Sequence, residues 1–348
     1  MKENRVRVLQ SILQKPILIK KKENLFYLTG RSFDYRAEEY LLVTKRDVVG
    51  FGSGLEQITW VQKSDRLKNI GKYLKGKKLD IEWGFSFGEA KYLKYKIKDS
   101  GLKIKVEPKR SPVDEMRQVK DSGELLKISK SMQLVRKVFH LVRKEIRKSG
   151  MTEIRLAKFI QSSGLRLGAE DISFPAIVAS GANAAIPHHV PISKKLKAGE
   201  SIIIDFGFKY QNYCSDFTRT VFLKRVPKKL EMTYNMVEKA YKESMVAAKL
   251  GVRAGDLYDL SVQVLAEKRL DRYFIHSLGH GTGLEIHELP NLSPGSKDIL
   301  KDNMVFSIEP GVYLPKVGGI RIEDLVYIKQ CKVSKFINVQ TNLISNIL

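Results

Sequence analysis

Apolar positions recur at helical spacing through much of the chain beyond residue 112. Leu125, Ile128, Met132, Val135, Val138, Val142 and Ile146 predict one long amphipathic helix, opened by the capping-box pair Asp121 and Glu124 and closed at Gly150. Thr152 predicts the cap of a second helix ending near Gly164, and further helical segments are expected over 228–250, closed by Gly251, and over 256–269. Between and after them stand short apolar runs of the strand type, IIID, FTRTV, FSI and GIRI. Helices and antiparallel strands therefore come in separate blocks, which predicts an α+β domain. It has a rough two-fold rhythm: two helices, then a ribbon, twice over.

The first 107 residues read differently, as a smaller α/β unit. NLFYLTG, EEYLLVTKRDVVGFG and LKGKKLDIEWG are strand-like, while 64–74 and 85–97 carry helical spacing. No P-loop, dinucleotide-binding glycine fingerprint or nucleophile elbow occurs there, so this unit reads as structural or substrate-shaping. The proline-punctuated stretch from Glu107 to Val113 reads as a linker. The expected domains are 1–111 and 112–348.

The strand runs end in carboxylates. Asp205 follows an isoleucine run and Asp216 precedes FTRT, with a polar turn between; a hairpin closed on Tyr210 and Gln211 would set the two acids opposite each other. Like charges facing across a ribbon repel, so a cation is expected between them. Glu309 and Glu323 repeat the arrangement about Pro315, Lys316 and Val317. Four such acids, with a histidine from elsewhere, make an oxygen-rich site for divalent metal. An acid near a turn is often only solvated, but four beside buried-type strands are harder to dismiss.

Five of the six histidines fall in two short segments: His188 and His189 in AAIPHHVP, and His276, His280 and His287 in IHSLGHGTGLEIHELP. Gathered among glycines and prolines, they suggest a site. His140, inside the long helix, reads as structural. His280, between Gly279 and Gly281, has backbone room to approach an ion, and His287 could face the same cavity. The HExxH spacing of a helical zinc protease is missing. The hard donor set favours manganese, cobalt or iron, and zinc also accepts it.

Composition narrows the setting. At 348 residues, 43% of them hydrophobic, two cores are affordable. No apolar run nears the roughly 20 residues a membrane span needs, and Ile17-Leu18-Ile19 is too short for a signal-peptide core. Cys214 and Cys331 give no disulfide framework and fit a reducing compartment, so a cytoplasmic protein is expected. Cys214 reads as a small buried hydrophobe on the face of Asp216. The net charge of +24 is spread along the chain, which reads as a solvated basic surface rather than a nucleic-acid or membrane footprint.

The ordered set IIIDFG, CSDFTRT, GHGTGLEIHE, SIEPGVY and GIRIED resembles the pita-bread metallopeptidases, the family of methionine aminopeptidase, Xaa-Pro aminopeptidase and prolidase. The likeness covers Pro112 to Ile328. FYLTG and YLLVT resemble the creatinase-type N-terminal domain of the proline-directed branch. The resemblance implies a C-terminal pita-bread domain behind a smaller α/β domain, and two divalent ions, manganese first, on Asp205, Asp216, His280, Glu309 and Glu323. It also implies that Asp216 and Glu323 bridge both ions, that Glu309 shuttles a proton, and that His188 and His287 stabilise the reacting substrate. By the same likeness His276 is a further substrate-side histidine, His189 the lesser of its pair, and Arg321 a partner beside the bridging glutamate. The partners implied are a proline-containing peptide and a second copy of the chain.

Prolidase-like sequences tend to carry arginine after the HExP run, where this chain has Asn291. An Xaa-Pro aminopeptidase is therefore expected ahead of an Xaa-Pro dipeptidase. A non-catalytic binding module using the basic surface is the remote alternative, and the complete ligand set counts against it.

Overall fold

The computed structural model describes residues 3–31, 39–51, 59–61, 70–74, 78–99 and 101–348. The chain divides into two units, Met1–Arg117 and Gln118–Leu348. In the first, α1 (Glu3–Ile12), β1 (Ile17–Ile19), α2 (Lys22–Thr29), β2 (Tyr40–Val43), β3 (Val48–Phe51), β4 (Thr59–Val61), α3 (Ile70–Tyr73), β5 (Lys78–Glu82), α4 (Phe87–Asp99), β6 (Lys105–Lys109) and α5 (Pro112–Met116) follow in order. Its six strands make one mixed sheet in the order β4-β3-β2-β1-β5-β6. Ile17, Leu18 and Ile19 sit near its middle, each at most 2% exposed. Part of the expected 64–74 helix, residues 64–69, lies outside the described residues.

Two expectations for this unit are corrected. NLFYLTG is not a strand but most of α2. Just before its start Glu82, from β5, accepts from the backbone N–H groups of Lys20 and Lys21 at 3.0 and 2.7 Å and so fixes the entry to the helix. Gly30 ends it at φ +76° in the left-handed region. Tertiary contacts thus overrule the strand-like run of aromatic and aliphatic residues. The supposed linker is also ordered: Pro108 lies on the edge strand β6, and Pro112 opens α5 behind the Ser111 cap. Both places tolerate a residue without N–H.

The second unit runs α6 (Ser122–Glu145), α7 (Glu153–Arg166), β7 (Asp171–Ile172), β8 (Ile177–Ser180), β9 (Ser201–Asp205), β10 (Phe208–Tyr210), β11 (Tyr213–Cys214), β12 (Phe217–Phe222), α8 (Lys228–Ala247), α9 (Ala254–Ala266), β13 (Gly279–Gly281), β14 (Glu288–Leu292), β15 (Val305–Ile308), β16 (Gly311–Leu314), β17 (Gly318–Arg321), β18 (Glu323–Lys329) and β19 (Lys332–Lys335). The Asp121–Glu124 capping box is formed at α6, and Ile128, Met132, Val135, Val138 and Val142 bury its apolar stripe. An eight-stranded sheet runs β14-β13-β15-β18-β12-β9-β8, with β19 beside β18. All its pairings are antiparallel. Helix pair then ribbon occurs twice, and the ribbons join where β12 meets β18.

The expected register holds on one ribbon and shifts on the other. Ile308 faces Asp324 and Gly311 faces Arg321, so Glu309 falls opposite Glu323 as expected. The first hairpin instead turns on Gln211 and Asn212, whose φ values of +48° and +68° meet the need of a tight two-residue turn for positive φ. Asp205 therefore faces Thr218, and Asp216 stands two residues along the same strand direction. A two-residue step keeps the same face, so both acids still point to one side.

Candidate metal centre

A single cross-strand row builds the site. Ile177 faces Asp205, Asp205 faces Thr218, and Thr218 faces Glu323. Glu309 extends the row past Glu323, and Asp216 joins it from just before β12. Asp205, Asp216 and Glu323 are 7%, 5% and 2% exposed. Carboxylates buried this deeply need a counter-charge.

His280 enters from β13. Its flanking glycines serve the sheet rather than an ion. A Cβ on Gly279 would stand 2.0 Å from the Ser307 carbonyl oxygen, and one on Gly281 2.0 Å from that of Leu289. Only glycine lets β13 thread between its neighbours. His280 Nδ1 donates to the Gly281 carbonyl at 3.0 Å, which turns Nε2 toward Asp216 Oδ2 at 3.5 Å and Glu309 Oε1 at 3.3 Å. A ligand atom from each of Asp216, His280 and Glu323 lies within 4.8 Å of the others, a span that one cation with bonds near 2.0–2.6 Å bridges.

The electrostatics fit divalent cations. Burial, then repulsion from the neighbouring acids, pushes Asp216 and Glu323 well above the usual carboxylate range. Burial also raises Asp205, against the pull of Arg321. Glu309 goes the other way: burial would raise it, but the hydrogen bond and charge of His280, with the charge of Arg321, hold it at about 2. His280, which burial alone would lower, is raised to about 9 by Glu309 and Asp216. Asp205 Oδ1 and Glu323 Oε1 are buried with no hydrogen-bond partner. Two orphaned carboxylate oxygens, three acids that resist ionising together and one imidazole aimed among them suit hard divalent cations.

Around this set the orienting groups are traceable. Thr218 donates to Glu323 Oε2 at 2.6 Å, leaving Oε1 available. The Arg321 guanidinium donates to Asp205 Oδ2, to Tyr313 Oη at 2.7 Å and to the Pro187 carbonyl at 3.3 Å. Since Tyr313 Oη accepts from Arg321, its own proton goes to His276 Nε2 at 2.8 Å, and His276 Nδ1 donates to the Ser277 carbonyl at 2.7 Å. Both His276 nitrogens are thereby used, and burial lowers its pKa, so it stands neutral. It reaches the site as a support for Tyr313, with no nitrogen left to offer a substrate.

A cavity of about 540 Å³ lies over the row, the size of a small-ligand pocket. His188 and His287 line it, as do Phe174, Pro175, Ile177 and Val190. The His287 ring meets that of His280 edge to face at 4.2 Å. His189 turns to the buried Glu153, 2.9 Å from Nε2, so the two adjacent histidines face different partners. His140 lies on the exposed side of α6, away from these groups. Cys214 is buried, its thiol pushed up to about 12 by desolvation.

Sequence reasoning missed Thr218, Tyr313 and Glu153. Placing the turn on Gln211-Asn212 would have exposed Thr218 as the residue facing Asp205. Tyr313, four residues past Glu309, carried no comparable signal. Among the described residues no helix is long and apolar enough to cross a membrane.

The profile of Metallopeptidase family M24 matches residues 127–330. An Xaa-Pro dipeptidase of Pyrococcus horikoshii is 33% identical over 336 residues, covering 94% of each chain. A putative Xaa-Pro aminopeptidase of Mycoplasma pneumoniae is 39% identical over 220 residues, 63% of this chain and 62% of that one. Among solved structures, the prolidase of Pyrococcus horikoshii OT3 matches with a TM-score of 0.87 at 30% identity, covering 97% of this chain and 99% of that one.

Proposed function

The chain belongs to metallopeptidase family M24 and is a metal-dependent hydrolase of peptide bonds, and from that premise we propose that it is an Xaa-Pro dipeptidase. The observation that carries this reading is the likeness to an Xaa-Pro dipeptidase along 94% of both chains, with the prolidase fold matched over nearly the whole length. The expectation of an aminopeptidase rested on Asn291 alone, and it yields to that likeness. Asn291 lines the cavity, and its amide N–H can bind a carboxylate oxygen where arginine would bind it as an ion pair.

Asp205, Asp216, His280, Glu309 and Glu323 would hold two divalent cations, manganese first. When bound, these supply Lewis-acid stabilisation of charge on the scissile carbonyl oxygen and lower the pKa of water. Glu309 would take a proton from the attacking water and pass it to the leaving proline nitrogen. His188 and His287 donate hydrogen bonds where negative charge develops. Phe174, Pro175, Ile177 and Val190 offer the proline ring an apolar wall. Arg321 and Tyr313 hold Asp205 and His276 in place. We further place the protein in the cytoplasm as a homodimer, on the resemblance and on its buried free Cys214.

The test compares an Xaa-Pro dipeptide with an Xaa-Pro-Xaa tripeptide under manganese. Preferential hydrolysis of the dipeptide is expected. Turnover of the tripeptide alone would restore the aminopeptidase reading, and turnover of neither would remove both.

A further inference from the structure

No hydrogen bond among the described residues involves the His188 ring, although His188 lines the cavity and is itself exposed. Its place must therefore be set by the backbone that carries it. That backbone is anchored at one carboxylate. Glu153, fully buried at the first turn of α7, accepts from Ser180 N–H at 2.8 Å and Ser180 Oγ at 2.7 Å. It also accepts from Asn183 Nδ2 at 3.1 Å, His189 Nε2 at 2.9 Å and Ile192 N–H at 3.3 Å. These donors bracket His188 on both sides, and the nearest is the very next residue.

We infer that Glu153 and His189 form a positioning pair for His188: the buried carboxylate grips His189 and so aims its neighbour into the cavity. The remaining contacts agree with this division. Glu153 N–H and Ile154 N–H donate back to the carbonyls of Lys194 and Ile192, so the start of α7 and the far end of the segment are stitched together. Pro187 and Pro191 flank the histidine pair with fixed φ, and Arg321 holds the Pro187 carbonyl at 3.3 Å. A carboxylate with no solvent exposure must have its acceptor sites filled. Here one short segment fills them, which makes the segment's shape a condition of burying the acid. Displacing a reacting group by an ångström can cost about 100-fold in rate, so an anchor one residue away is well placed to matter. The inference rests on the proposed function only in taking His188 as the group that meets substrate.

The experiment uses the full-length, metal-loaded enzyme with the variants His189→Ala, His189→Gln and Glu153→Gln, beside His188→Ala and the double variant. His189→Ala is expected to lower kcat about 10- to 100-fold with KM and metal content little changed. His189→Gln, whose amide can still donate to Glu153, should recover most of that loss. The double variant should be no slower than His188→Ala, because the two residues act through one group. Histidine-labelled, zinc-loaded protein gives a readout apart from activity: the His188 ring resonances should shift in His189→Ala and Glu153→Gln but not in His140→Ala. Unchanged kcat in folded His189→Ala, losses that multiply in the double variant, or unmoved His188 resonances would overturn the inference. A wild type that cleaved no Xaa-Pro peptide would sink the functional reading alone, and the resonances would still decide this one.

Discussion

The Thr218 hydroxyl donates to Glu323 Oε2 at 2.6 Å, so a side chain that holds no cation decides which glutamate oxygen stays available for one. Thr218→Val keeps the shape and removes the donor, and it also takes the acceptor from Arg321 Nε at 3.3 Å. Loss of such an orienting partner typically costs about 10- to 100-fold in metal affinity. Competition against a chelator should read that drop, and an unchanged affinity would remove Thr218 from the metal's support.

Asp216 and Glu323 titrate above their usual range in the fold because burial and neighbouring acids disfavour the charged form. Between the ordinary value near 4 and the raised one, the native state binds more protons than the unfolded chain, so metal-free stability falls as pH rises. His280, raised to about 9, adds in the same direction: its contribution is full below about 6.5 and is lost as pH rises through 9. Glu309, held at about 2, opposes only in acid, where protonating it removes stability. His276 and His287, lowered mainly by burial, oppose below about 6.5, so thermal unfolding of chelated protein should show stability declining from about pH 7 to 9. Added manganese should flatten that slope, stop hydrolysis being lost to chelation, and release protons on binding. A metal-free protein that grew more stable across that range would contradict the assignment.

Arg321 holds Asp205, Tyr313 and Pro187 with one planar group. Arg321→Lys keeps a charge beside Asp205 but not the fork, so the fold should survive while Tyr313 loses its donor and His276 its fixed proton arrangement. A fall in kcat/KM of about tenfold or more is expected from disordering the support of a ligand, with a cooperative unfolding transition retained. Wild-type kinetics in the lysine variant would show that charge alone is what the position requires.

The four carboxylate candidates were legible because an acid set against a buried strand needs a reason, and residue type carries that signal without any fold; His280 was singled out by its place among glycines and by the resemblance. Helix starts were legible too, as at Asp121 and Thr152, since a cap is a local contract between a side chain and the next turn. The second ribbon's register followed from its midpoint alone. What lay beyond local information went wrong or unseen. The first turn moved one residue because Gln211 and Asn212 take positive φ. The run at 24–30 falls in a helix whose entry is held by Glu82 from a distant strand, a contact that no local pattern shows. Glu153, an ordinary first-turn acid by sequence, became a buried clamp only when residues 180–192 folded over it.

By itself, then, the order of residues determined which side chains are candidates for the chemistry and, in the second unit, where the long helices and the two ribbons would fall. Only tertiary structure decided that Thr218 faces Asp205, that Arg321 and Tyr313 leave His276 neutral, and that His188 and His189 part company. The reason is physical: charge type and periodicity are properties of neighbours in the chain, whereas desolvation and hydrogen-bond partnership depend on residues that meet only after the chain has closed on itself.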